Sequence, residues 1–164
     1  ESKWLCAQSK NKEEKIKNAY LHASLILSIS FLESFINSIA EEFSLRPELS
    51  LIEKSLLLEK EIKLNKGEVI LSENLKITRL IERIELLYYI FTKKKVTEKN
   101  KWYVAIKQSI SIRNKLLHPK EIININCKLV EKVLFSVLET TNTLCKVIYK
   151  KQVPIYHFGI TPNM

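Results

Sequence analysis

The chain has 164 residues, of which 46% are hydrophobic, and this suits one domain with a single core. Two glycines and four prolines leave little material for hairpins or barrel turns, so we expect an all-α protein. The formal net charge of +9 attracts polyanions, with nucleic acid as the first candidate, although the same lysines also suit an ordinary solvated surface.

The three cysteines, Cys6, Cys127 and Cys145, are an odd number without metal-binding spacing. This pattern argues against a disulfide framework and against a zinc site, and it favours a reduced, cytoplasmic setting. We expect Cys127 and Cys145 to be small core residues, and no metal or other cofactor. No apolar run of about 18 residues is apparent, so neither a membrane span nor a membrane partner is expected.

The first half of the chain predicts two helices and an irregular segment. Apolar residues recur at every third or fourth position over residues 16–44, which predicts one long central amphipathic helix. A second helix is predicted over residues 47–60, with Pro47 at its start. Residues 65–74 include Gly67 and a short β-branched run, and we expect a loop or a brief extended segment there.

The second half predicts three more helices. Helical spacing returns over residues 76–92, and the lysine-rich residues 93–101 predict a solvated linker. The next helix begins at about Trp102 and should end near His118, because a following proline disfavours helical geometry. The last helix is predicted over residues 126–150.

The tail, residues 150–164, contains two prolines and one glycine and is expected to be an irregular strap. We find no internal repeat and no linker rich in glycine or serine. The predicted architecture is therefore a single domain, residues 1–164, built as an antiparallel bundle of four to five helices.

The segment "SIRNKLLHPK", residues 111–120, concentrates polar chemistry at the end of a helix. Residues four apart lie on nearly the same helical face, so Asn114 and His118 can point together, about 6 Å apart along the axis. Arg113 lies about 140° around the helix from His118, but its long side chain can bend toward the same site. The three side chains could converge on one phosphate group.

These residue types suit RNA cleavage, because RNA carries its own nucleophile, the 2′-hydroxyl. A histidine can move protons near neutral pH, an arginine can offset charge on the phosphorane, and an asparagine can orient either partner. This chemistry needs no metal. A structural role is the alternative from the residues alone, since Arg113 and Asn114 could satisfy helix carbonyls and His118 could cap the helix.

Three stretches in the same order resemble the HEPN superfamily of helical-bundle nucleases and nucleotide-binding domains. "RNKLLHP" resembles its R-N-x-x-x-H motif. "YLHASLILSISFLESFIN", residues 20–37, is similar to its early helix with an L-E-x-F-I-N signature, and "SLIEKSLLL", residues 50–58, is similar to the I-E-K segment that follows in several of its families. Together these matches cover about two-thirds of the chain.

The resemblance implies a metal-independent endoribonuclease, usually a homodimer in which two copies of the motif form one composite cleft. It assigns Arg113 and His118 to the catalytic pair and Asn114 to the polar residue beside them. Glu33 would support or orient the active site, and Asn37, one turn later, would face the same way. In bacteria it would imply a toxin or antiviral-defence effector that an antitoxin or a sensor domain restrains.

Glu33 also stands out on its own, because it lies within the apolar run "ISFLESFI". A carboxylate is costly to bury without a partner, and Arg113 is an obvious candidate. The alternative is a solvated position at the edge of the buried face.

Three lysines are candidates for RNA binding. Lys115 and Lys120 lie beside the motif, and Lys107 follows two aromatic residues that could stack a base, although such aromatics are more often core anchors. Two other functions remain open: a non-catalytic HEPN bundle that dimerises and binds nucleotide or RNA, and an unrelated basic helical adaptor.

Overall fold

A computed structural model of the chain describes residues 2, 3, 5, 14–118 and 124–153. In this part of the chain five helices and two strands follow one another. They are α1 (Glu14–Ser44), α2 (Leu51–Leu58), β1 (Lys60–Asn65), β2 (Glu68–Leu75), α3 (Leu80–Thr92), α4 (Lys101–Leu117) and α5 (Cys127–Tyr149). The helix-rich class is confirmed, and the two-stranded sheet corrects the all-α expectation.

The chain divides into two compact units. Unit 1 comprises Glu1–Leu32 and Thr97–Met164, and unit 2 comprises Glu33–Val96. The long helix α1 contributes its first part to unit 1 and its last part to unit 2. Unit 1 also holds α4 and α5, while unit 2 holds α2, the two strands and α3.

A buried pair of serines marks the contact between α4 and α5 in unit 1. The hydroxyl oxygens of Ser109 and Ser136 lie 2.7 Å apart, and both residues are buried. Fully buried aliphatic residues complete the core of this unit: Leu21, Leu25, Ile29, Leu32, Ile106, Val130, Val133, Val137 and Leu144. The helical repeat predicted these stripes, and the bounds of α1, α4 and α5 agree with the predicted ranges to within two residues.

The second helix is shorter than predicted, because a capping box starts it at Ser50 and not at Pro47. The backbone N–H of Glu53 donates to Ser50 Oγ at 3.2 Å, and the backbone N–H of Ser50 donates to the Glu53 carboxylate at 2.8 Å. The helix ends at Leu58, where Glu59 adopts a left-handed backbone with φ 55°. These two ends leave only eight residues in α2.

A β-hairpin occupies residues 60–75, and its second strand agrees with the brief extended segment that was one of the two alternatives predicted for residues 65–74. Strands β1 and β2 are antiparallel, with Asn65 paired to Glu68 across a two-residue turn. The turn residues Lys66 and Gly67 both have positive φ, 49° and 90°, as hairpin turns of type I′ require. Gly67 adopts this conformation without strain, whereas Lys66 is not one of the residues that favour it.

One face of the hairpin is apolar and largely open to solvent. Ile62 pairs with Leu71 and Leu64 pairs with Val69, so these four side chains share a face. Leu64 is 74% exposed and Val69 58% exposed. The sheet thus contributes little to the core of unit 2, whose fully buried residues include Ile36, Ile39, Leu57, Ile84 and Leu87.

The other predicted bounds differ by smaller amounts. Helix α3 starts at Leu80, later than the predicted residue 76, because the backbone N–H groups of Lys76 and Thr78 bond to Glu59 instead of continuing a helix. The predicted linker over residues 93–101 is confirmed as non-helical until Lys101, where α4 begins. Of the predicted tail, residues 154–164 lie outside the described part.

Helix α1 is more apolar than we predicted from the sequence. An 18-residue window within Ile16–Ser44 has a mean hydropathy of 1.5, so this helix is long and apolar enough to cross a membrane by length and composition. The expectation that no segment of the chain reaches this level is therefore wrong. Scattered serines interrupt the apolar run, but they lower its mean hydropathy only slightly. The buried core helix of a globular protein passes the same test, and 44% of the window is buried.

The hairpin turn yields a prediction for two substitutions, of which only one should destabilise it. Gly67→Ala should destabilise the hairpin by about 1 kcal/mol, because an L residue is strained at positive φ even where space is free around the added methyl group. Lys66→Asn should not destabilise it, because asparagine tolerates this conformation. Hydrogen exchange of the β1 and β2 amides measures both effects, and equal protection in the two variants would contradict the turn assignment.

The capping box yields a pH prediction. The Ser50 hydroxyl and the Ser50 backbone N–H both bond to the carboxylate of Glu53 and lower its pKa. Because the folded pKa lies below the unfolded value of about 4.3, this stabilisation is present above that pH and is lost as the pH falls through the folded pKa. Glu53→Gln should therefore flatten the loss of stability in acid, measured by chemical denaturation. The matched variant Glu48→Gln should keep the parent's acid profile.

Candidate active site

Arg113 lies where the buried stripe of α4 reaches the end of the helix. The stripe runs through Ile106, Ser109 and Ile110, and Arg113 continues it three residues later. The residue is half-buried and its Nε atom is buried, so the base of the guanidinium is held within the protein. Packing against the core therefore restricts where the charged end of Arg113 can reach.

Asn114 and His118 stand at the same helix end with exposed side chains. Helix α4 ends at Leu117, and the backbone N–H of His118 donates to the Asn114 carbonyl at 3.0 Å. The backbone of His118 thus makes the capping contact, while its imidazole is left exposed to solvent. At this position the side chain of His118 is available for chemistry, and the cap does not depend on it.

The three lysine candidates have different surroundings. Lys115 is exposed in the last turn of α4, next to the motif. Lys107 lies two turns earlier, where its ammonium group is 2.9 Å from the Glu98 carboxylate and 5.6 Å from the centre of the Tyr103 ring. Lys120 lies outside the described residues. Lys107 is thus ion-paired, whereas Lys115 forms no ion pair among the described residues.

Glu33 and Asn37 belong to unit 2, where they lie beside a buried arginine that the sequence reading missed. Arg83 Nη2 donates to Asn37 Oδ1 at 2.7 Å, and Arg83 Nη1 donates to the Glu59 carboxylate at 3.0 Å. The Glu33 carboxylate also interacts electrostatically with Arg83. This electrostatic attraction between Glu33 and Arg83 is a charge interaction that the sequence did not predict.

Burial makes Arg83 unusual. Its side chain is only 5% exposed, and desolvation lowers the pKa of Arg83, against the opposing fields of Glu59 and Glu33. Its Nε atom is buried and makes no hydrogen bond among the described residues. A signal was present in the sequence, because Arg83 occupies the same apolar stripe of α3 as Leu80, Ile84 and Leu87.

Glu59 holds three elements of unit 2 through this site. Its carboxylate accepts from Arg83 and from the backbone N–H of Thr78 at 3.1 Å, and its carbonyl accepts from the backbone N–H of Lys76 at 2.7 Å. Glu59 itself lies between α2 and β1. The polar cluster of Asn37, Glu59 and Arg83 therefore ties α1, the end of α2 and α3 together.

Other features of the described residues carry less chemistry. No group of three His, Cys, Asp or Glu side chains there is arranged to hold a metal ion. Burial raises the pKa of the Cys145 thiol, which suits a packing role better than a nucleophilic one. A cavity of about 330 Å³ in unit 2 lies among Phe43, Leu57, Leu87 and Phe91, and none of the predicted site residues lines it.

Comparisons with known proteins identify no relative: no protein-family model, curated protein or solved structure matches the chain.

The buried arginine yields a stability prediction. Arg83→Ala should lower the free energy of unfolding by about 2–4 kcal/mol, because the partly buried Glu59 carboxylate and the Asn37 amide lose the guanidinium group that donates to both. The matched variant Arg79→Ala, at the N-cap position that precedes α3 and with a side chain 83% exposed, should change it by less than about 0.5 kcal/mol. Chemical denaturation measures both, and similar losses would show that the polar cluster does not stabilise unit 2.

Proposed function

We propose that the chain is a HEPN-type endoribonuclease that cleaves RNA without a metal, through Arg113, Asn114 and His118. One observation carries the proposal: at one helix end an arginine is anchored by the core, while a neighbouring asparagine and histidine are exposed. Anchoring fixes a positive charge, and exposure leaves the imidazole open to a large substrate. The resemblance of the motif and of the Glu33 segment to HEPN proteins supports the same function.

The proposed fold is a HEPN-like helical bundle in which α4 and α5 are antiparallel neighbours. Only residues 118–126 separate the two helices, and short connections join antiparallel helices in bundles. The contact between Ser109 and Ser136 supports this pairing.

In the proposed reaction the 2′-oxygen of the RNA attacks the neighbouring phosphorus. The 2′-hydroxyl loses its proton, the new O–P bond forms, and the bond from phosphorus to the 5′-oxygen breaks as that oxygen gains a proton. The products are a 2′,3′-cyclic phosphate and a 5′-hydroxyl. His118 transfers a proton, Arg113 offsets the charge of the pentavalent phosphorane, and Asn114 orients the imidazole or a phosphate oxygen.

A homodimer completes the proposed mechanism. One imidazole serves either as the base or as the acid in a given step, and two copies of the motif in one cleft supply both groups at once. Glu33 and Asn37 have supporting roles in the proposal. The hydrogen bond from Arg83 to Asn37 suits a side chain that must keep one orientation, and Glu33 interacts electrostatically with the same arginine. The biological role proposed is that of a cytoplasmic toxin or antiviral-defence effector with an antitoxin or sensor partner.

A second candidate is a non-catalytic bundle that binds nucleotide or RNA. The exposure of Asn114 and His118 favours it, because a surface of open polar side chains can bind a nucleic acid without enclosing a phosphate for cleavage. This candidate predicts RNA affinity that falls with salt and no new RNA ends.

The test incubates the purified chain with a mixed RNA in excess chelator and maps the ends of the products. The parent should leave cyclic-phosphate and 5′-hydroxyl ends. His118→Ala should slow cleavage about 10²–10⁴-fold through loss of proton transfer, and Arg113→Ala about 10²–10³-fold through loss of charge stabilisation.

The control Gln108→Ala alters an exposed residue on the same helix and should cleave at the parent's rate. Cleavage by His118→Ala as fast as by the parent would refute the assignment of the histidine. Salt-sensitive binding by the parent without any cleavage would favour the non-catalytic candidate.

A further inference from the structure

The first turns of α5 carry two exposed lysines, Lys128 and Lys132. Residues four apart lie on nearly the same helical face, so the two ammonium groups form a short cationic ridge that extends about 6 Å along the helix. We infer that this ridge binds the phosphate backbone of RNA beside the motif, an inference that rests on the proposed function.

The serine contact between α4 and α5 places the ridge level with the motif. Ser109 lies opposite Ser136, and in an antiparallel pair each step toward the end of α4 matches a step toward the start of α5. Arg113 lies four residues after Ser109 and Lys132 lies four residues before Ser136. Both are therefore about 6 Å from the serine pair in the same direction.

The same count places Lys128 beside the last turn of α4. It lies eight residues before Ser136, about 12 Å along the axis, and Leu117 lies eight residues after Ser109 on the other helix. His118 follows Leu117 directly. The two ends of the ridge thus correspond to the two ends of the R-N-x-x-x-H motif.

Cations dominate this end of unit 1. Over residues 109–118 and 124–136 there are four, Arg113, Lys115, Lys128 and Lys132, against one acid, the exposed Glu131. Among the described residues neither ridge lysine forms an ion pair, whereas Lys107 is bound to Glu98. The ridge lysines are therefore open to a polyanion from solution.

Lysine ammonium groups contact phosphates as point charges, without reading the bases. A ridge of this kind selects for a nucleic-acid backbone and not for a sequence. The ridge would hold an RNA strand beside Arg113 while the motif acts on one phosphate of that strand. Two lysines can neutralise about two phosphates, and this number sets the size of the expected salt effect.

The test compares two double variants in the full chain, both carrying His118→Ala so that the RNA stays intact. One is Lys128→Gln with Lys132→Gln, and the matched control is Lys146→Gln with Lys151→Gln, which removes the same charge from exposed positions at the other end of α5. Binding to a fluorescent single-stranded RNA is measured at several salt concentrations. Thermal melting establishes that both variants are folded.

We expect the ridge variant to bind about tenfold more weakly than its parent near 0.1 M salt and the slope of log K against log salt to fall by about 1.4. The control pair should bind RNA less than about twofold more weakly than its parent. Equal losses in both pairs, no loss in either, or no RNA binding by the parent would each overturn the inference.

Cleavage assays on the same substitutions with His118 restored separate this inference from the proposed function. If the ridge substitutions do not change the rate of RNA cleavage, and both pairs of variants bind RNA equally, the ridge inference is refuted and the nuclease assignment stands. A selective loss of binding in the ridge variant, with no cleavage by the parent, supports the ridge and refutes the nuclease.

Discussion

The hydrogen bond between Ser109 and Ser136 decides which residues of α4 and α5 lie at the same level. The two hydroxyl oxygens are 2.7 Å apart and fully enclosed by the protein. Such a bond contributes only about 1 kcal/mol net, so the surrounding aliphatic side chains supply most of the stability. Each hydroxyl also lies within hydrogen-bond distance of a carbonyl of its own helix, Ser109 of Ala105 at 2.9 Å and Ser136 of Val133 at 2.8 Å. The contact between the two serines therefore adds one further bond that is made only in this alignment. The placement of Arg113 relative to α5 depends on it.

Arg83 and Arg113 differ in how far their charged groups are shielded from solvent. Arg83 is almost fully enclosed, and its Nη groups are bound by Asn37 and Glu59. Its charge is compensated within unit 2, where its hydrogen bonds connect neighbouring elements. Arg113 lies at the margin of the core, where its stem is fixed and the helix ends immediately afterwards. An arginine at a margin can hold a fixed charge toward a substrate, which an enclosed one cannot do.

The amphipathic repeat is sufficient to predict α1, α4 and α5, because each of these helices buries one long stripe. That repeat does not predict the hairpin, since the apolar face of the hairpin is largely exposed, and Gly67 between two alternating segments is only part of a turn signal. The start of α2 also has a signal, the S-x-x-E pattern at Ser50, but Pro47 is an equally plausible start from sequence. The pairing of Arg83 with Glu59 joins residues 24 apart through tertiary structure, so local pattern could not predict it. The motif residues were identifiable by type, whereas the anchoring of Arg113 and the exposure of His118 required the fold.

The net charge of +9 gains meaning from where the lysines lie. In the hairpin, three lysines are balanced by three glutamates, so this segment has no net charge. The residues are Lys60, Lys63, Lys66, Glu61, Glu68 and Glu73. Over residues 109–118 and 124–136 the balance is four cations to one acid, so the local field is positive. The positive charge is therefore more concentrated at this end of unit 1 than in the hairpin.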